Sequence, residues 1–126
     1  MNLFYRIRFL VRELPWKLRR NWQRFRRGWA YSDVWDIDFW FMEMLEPMLR
    51  HLKEHHCAHP CNYTDEEWEA RLGQMADYLH LMDEENVIEE VYGGDAMKFK
   101  EIHETMQENK EKFFEMFSHD FYALWD

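Results

Sequence analysis

Glycine and proline are scarce in this chain, four and three among 126 residues. Strand-like alternation is also nearly absent, which excludes a fold of many short strands and tight turns. Cysteine is scarcer still. Cys57 and Cys61 cannot make the multi-bridge framework of a small secreted domain, and both are expected to be reduced. No run of about 18 apolar residues occurs, so no membrane-spanning helix is expected. The start, Met-Asn-Leu-Phe-Tyr-Arg-Ile-Arg, puts charges where a signal peptide needs its apolar core, and the Arg-rich leader lacks the serines of a transit peptide; an intracellular protein is expected. There is no nucleophile elbow, no Gly-rich phosphate loop and no His-Glu-x-x-His motif. The acids Asp36, Asp38, Glu43 and Glu46 lack the paired Glu-x-x-His of a di-metal bundle. No enzymatic role is expected.

Acids are almost missing from the first 30 residues. Nine cations (Arg6, Arg8, Arg12, Lys17, Arg19, Arg20, Arg24, Arg26, Arg27) face one acid, Glu13, giving +8, whereas residues 31–126 hold seven basic and 24 acidic residues, giving −17. The formal net charge of −9 hides this split. The expected division is a basic amphipathic helical segment over 1–30 and an acidic helical body over 31–126.

Apolar residues, 47% of the chain with 18% aromatic, recur at helical spacing and supply a packed core. The pattern predicts an all-α fold, a single compact bundle of four to five helices. Leu3, Ile7, Leu10, Val11 and Leu14 form a first stripe, which Pro15 is expected to break or bend. Leu18, Trp22, Phe25 and Trp29 form a second, with Gly28 as its stop. Ser32-Asp33 is the expected start of a central helix striped by Trp35, Phe39, Met42, Leu45, Leu49 and Leu52 and kinked at Pro47. Residues 55–63 read as a loop. Thr64 to Glu67 is a capping box opening a helix on Trp68, Leu72, Met75, Leu79 and Met82. One or two turns lie around Val87–Val91, and Asp95 is expected to cap a last helix carrying Phe99, Ile102, Met106, Phe113 and Phe117. Phe121, Leu124 and Trp125 are too apolar for a free tail.

Three constellations carry chemistry. His51, His55, His56, Cys57, His59 and Cys61 place six metal-ligand types in eleven residues. The spacing of His51, His55 and His59 would stack them if the helix continued. Zn²⁺ suits such donors, with His55, Cys57, His59 and Cys61 as candidates. No second ligand pair lies downstream, so a polar loop without a cofactor is the expected reading. Second, Arg26, Arg27, Trp29, Tyr31, Trp35 and Asp38 combine guanidinium groups with aromatic faces, as a clamp for a phosphate and a stacked base does. The structural alternative has Ser32 and Asp33 capping, Trp29 and Trp35 packing, and Arg26 or Arg27 pairing with Asp36 or Asp38. Third, the basic head suits an anionic membrane surface or nucleic acid, or neutralisation by the chain's own acidic body or by a second copy.

The stretch Arg26-Arg27-Gly28-Trp29-Ala30-Tyr31-Ser32-Asp33-Val34-Trp35-Asp36-Ile37-Asp38 resembles a family of small tailed-phage proteins, in which a basic leader runs into Arg-Gly-aromatic and then Ser-Asp-x-x-Trp-x-x-Asp. Leu49-Arg50-His51-Leu52, His59-Pro60, Glu66-Glu67-Trp68-Glu69 and Ala123-Leu124-Trp125-Asp126 are similar too, while the His/Cys-rich His55–Cys61 departs from the pattern. The resemblance implies a phage accessory protein in the host cytoplasm. Its expected action is non-enzymatic: binding a host protein or a small anionic, nucleotide-type ligand in counter-defence or host takeover. The alternative is association with nucleic acid or membrane through residues 1–30, or a minor virion component.

Overall fold

The computed structural model describes residues 3–125, apart from the side chains of residues 3–5, 9–11 and 13. Every regular element among them is helical: α1 (Leu3–Arg27), a 3-10 helix (Tyr31–Asp36), α2 (Ile37–His55), α3 (Asp65–His80), α4 (Glu84–Glu90), α5 (Phe99–Asp120) and a final 3-10 turn (Phe121–Ala123). The protein is all-α. No helix of the described residues is long and apolar enough to cross a membrane. Chain contacts group into two compact units, Met1–Trp40 and Phe41–Asp126; the sequence boundary at residue 30 falls ten residues earlier.

In the first unit α1 runs uninterrupted through Pro15, so the expected break is absent. Proline removes one backbone donor, but the Arg, Leu and Lys residues on either side are strong helix formers that sustain the turns around it. The helix stops where expected. Gly28 adopts φ +84° and its N–H donates to the Arg24 carbonyl at 2.8 Å, a left-handed cap that glycine takes without steric cost. Of the first apolar stripe, the side chains of Leu3, Leu10 and Val11 lie outside the described residues; Ile7 and Leu14 are exposed.

The second unit holds the core. Leu49 of α2, Trp68, Leu72, Met75, Ala76 and Leu79 of α3, and Phe113 of α5 form one buried cluster, with Val87 and Ile102 also fully buried. The sequence reading made α2 central. Burial falls instead on α3 and α5, because Leu49 is the one buried residue of α2, and Trp35 and Phe39 at the head of its predicted stripe are exposed.

Local signals set the ends of α3. Thr64 Oγ1 accepts from the Glu67 N–H at 3.2 Å, and Glu67 Oε2 accepts from the Thr64 N–H at 3.0 Å, the reciprocal pair that satisfies two otherwise orphaned amides. Asp95 does not cap α5. It accepts the Met97 N–H at 3.1 Å, and α5 begins at Phe99. The chain end is held in part: Leu124 packs against the core cluster, and buried Asp120 accepts from Arg71 Nε at 2.8 Å and Nη2 at 2.7 Å.

Candidate functional site

Immediately after Gly28 the chain turns back along α1. Asp33 fastens the return. Its carboxylate accepts Arg24 Nη2 at 2.6 Å and Nε at 3.1 Å, and also the Ala30 N–H at 2.7 Å. Arg24's hydrogen bond, opposed in part by burial, holds the Asp33 carboxyl below its usual range. The same residue shapes the next element: the Asp33 N–H donates to the Ala30 carbonyl at 3.0 Å, closing a 3-10 helix rather than the first turn of α2. The Tyr31 N–H donates to Gln23 Oε1 at 2.7 Å. Arg27 lays its guanidinium over the Trp29 ring at 3.8 Å, reaches Tyr31 at 5.9 Å, and donates Nε to the Trp29 carbonyl at 3.1 Å.

This arrangement replaces the expected pairing of Arg26 or Arg27 with Asp36 or Asp38. The cation that pairs is Arg24, one helical turn earlier. Of the predicted cluster, Arg27, Trp29 and Tyr31 come together. Arg26 and Asp38 are exposed and join no ion pair or ring contact among the described residues. Trp35 does not pack; it is 74% exposed, at the rim of a groove.

That groove, about 180 Å³, is lined by Trp16, Arg19, Arg20, Gln23, Tyr31, Ser32 and Trp35. Arg20 lies over Trp16 at 4.7 Å, and its Nε is buried with no hydrogen-bond partner among the described residues. A buried donor left unmatched costs about 1–3 kcal/mol. The groove therefore offers two guanidinium groups, a serine hydroxyl and three aromatic faces. Sequence reasoning missed Trp16, Arg19 and Arg20. Their spacing along α1 puts Trp16 and Arg20 one turn apart on a common side, but only the reversal at Gly28 brings Tyr31, Ser32 and Trp35 over them.

The His/Cys segment does not gather as a single cluster. His51 and His55 stack at 4.3 Å between ring centroids, but α2 ends at His55, so His59 does not continue the row; its Nδ1 lies 3.0 Å from the Pro60 carbonyl. Cys57 and Cys61 are both exposed. His56 turns the other way, toward Asp65 at 2.7 Å.

Compared with known proteins, the chain matches no family model, no curated protein and no solved structure.

Proposed function

We propose that this is a non-enzymatic binding protein that captures a phosphate-bearing, ring-containing ligand in the arginine–aromatic groove of its N-terminal unit. The observation that carries the reading is the grouping of the Arg19 and Arg20 side chains with Trp16, Tyr31 and Trp35 around one groove, with Arg20 over the Trp16 ring at 4.7 Å. A phosphoryl group pairs with guanidinium N–H donors, and a flat base stacks on the neighbouring rings. The resemblance to small tailed-phage proteins adds the setting, sequestration of a nucleotide-type host ligand or of a host protein that presents one, in counter-defence or host takeover. Titration calorimetry with adenosine monophosphate, inorganic phosphate and adenosine tests it. The nucleotide should bind more tightly than either fragment, and Arg20→Gln or Trp35→Ala should weaken it at least tenfold while the circular dichroism spectrum holds. Equal affinity in both variants would sink the reading.

A second reading rests on a separate observation. Ile7, Leu14, Leu18, Trp22 and Phe25 share the side of α1 away from Trp16 and Arg20, are 52–82% exposed, and are flanked by arginines. An exposed apolar strip edged with cations suits an anionic bilayer surface, and the cations alone suit nucleic-acid phosphates. Co-sedimentation with phosphatidylglycerol vesicles, falling steeply between low and high salt and lost on Leu18→Glu with Trp22→Glu, would support the membrane form. Retention by heparin or DNA that survives both substitutions would favour nucleic acid.

A further inference from the structure

The geometry points to a divalent-cation site, of the zinc class, formed by His56, Asp65 and Glu69 in the second unit. This inference is independent of the groove, which belongs to the other unit. The His56 side chain is 4% exposed and its orientation is fixed from behind. Nδ1 lies 3.1 Å from the Leu52 carbonyl and 3.0 Å from the Lys53 carbonyl. Carbonyls only accept, so Nδ1 carries a proton, and Nε2 is the atom presented to α3, where it donates to the Asp65 carboxylate at 2.7 Å and where a metal ion takes the place of that proton. A ring N–H donated to backbone carbonyls is how proteins orient a metal-ligating imidazole.

Nε2 meets two carboxylates. Asp65 Oδ1 is 2.7 Å away and Glu69 Oε1 is 3.9 Å away, and the three ligand atoms lie within 4.8 Å of one another. Metal–ligand bonds of about 2.0–2.2 Å in tetrahedral geometry separate ligand atoms by roughly 3.3 Å, a value between the two distances from Nε2. Asp65 and Glu69 are four residues apart on α3 and face the same way. Neither side chain takes part in the Thr64–Glu67 capping box; Asp65 is bonded to His56 itself. Two carboxylates balance the ion's charge. One imidazole nitrogen with two carboxylate oxygens suits Zn²⁺ and its first-row neighbours better than Ca²⁺ or Mg²⁺. Asp65 and Glu69 are themselves about half exposed, which leaves the outer side to water. The donor set differs from the His55, Cys57, His59 and Cys61 group that the sequence brings to mind.

Calorimetric titration of Zn²⁺ into the chelator-treated full chain tests the assignment, with circular dichroism to verify folding of each variant. Binding should persist in a variant carrying His51→Gln, His55→Gln, Cys57→Ser and Cys61→Ser together, and should fall more than tenfold with Glu69→Gln, a residue that makes no hydrogen bond to lose, and with His56→Gln. The His56 Nε2 nitrogen resonance should shift on zinc addition. Absence of binding, affinity unaffected by Glu69→Gln, or binding abolished in the His51/His55/Cys57/Cys61 variant would overturn it, leaving His56 and Asp65 as an ion pair only.

Discussion

Asp33 grips Arg24 with both carboxylate oxygens, Nη2 to Oδ1 at 2.6 Å and Nε to Oδ2 at 3.1 Å. The two residues are nine apart in the chain, on either side of the reversal at Gly28. Through this pair and the Ala30 N–H, one side chain both ends the turn and seats the 3-10 helix that completes the groove.

Removing it should loosen the return segment. Asp33→Ala is expected to cost about 1 kcal/mol as a lost cap and to speed hydrogen exchange at the Ala30 amide, with α1 itself unchanged. Because the folded carboxyl is held below the ordinary value of 3.8, its contribution is complete above that pH and lost as pH falls through the depressed value. Acid titration followed by tryptophan fluorescence should therefore show the segment releasing only below about pH 4.

In the second unit His80 works with the opposite sign. Its Nδ1 pairs with Glu46 and its Nε2 with Glu90, both at 2.8 Å. Burial opposes the imidazolium, but the Glu90 and Glu46 carboxylates outweigh it and raise the pKa above 6.5. The stabilisation is thus full below pH 6.5 and fades as pH rises through the raised value. Urea denaturation at several pH values should show stability declining from pH 6 to 8, with a smaller decline in His80→Gln; parallel slopes would refute it.

Trp68 is fully buried, stacked on Tyr63 at 5.9 Å, with an indole Nε1 that finds no acceptor among the described residues. Trp68→Ala should cost about 3–5 kcal/mol through the cavity it leaves. Trp68→Phe should cost less than Trp68→Ala, because it keeps a ring in the core, leaves a smaller cavity and discards the unmatched donor. Chemical denaturation of the two variants measures the contrast.

Asp120 is 3% exposed and bound to Arg71, Tyr63 and His119. Asp120→Ala should destabilise by about 3–5 kcal/mol, since the partly buried Arg71 loses its counter-ion. The loss should appear as a lower denaturation midpoint, and Asp120→Asn should recover part of it.

Much of this architecture was legible locally. The capping box at Thr64, the stop at Gly28 and the α3 stripe from Trp68 to Leu79 depend on neighbours within a turn or two, and the chain forms them where the pattern places them. Some expectations failed because a longer-range or competing term won. Pro15 does not end α1, since one lost donor is outweighed by the helix formers around it. Ser32-Asp33 does not start α2, because Asp33 is committed to Arg24 and Ala30. The loop expected from residue 55 does form: α2 stops at His55, so His59 stands apart from the His51–His55 pair.

The sequence alone determined that the chain is helical, where its strongest caps lie, and that its cations crowd into the first 30 residues; each follows from local periodicity, capping chemistry or composition. Tertiary structure decided which arginine pairs with Asp33, that Trp16 and Arg20 rather than Arg26 and Asp38 face Tyr31 and Trp35, and that His56 leaves its histidine and cysteine neighbours to meet Asp65 and Glu69. Those choices depend on where a reversal at Gly28 and a loop after His55 carry residues distant in sequence. Side chains meet across such turns by distance and direction, which spacing along the chain does not encode.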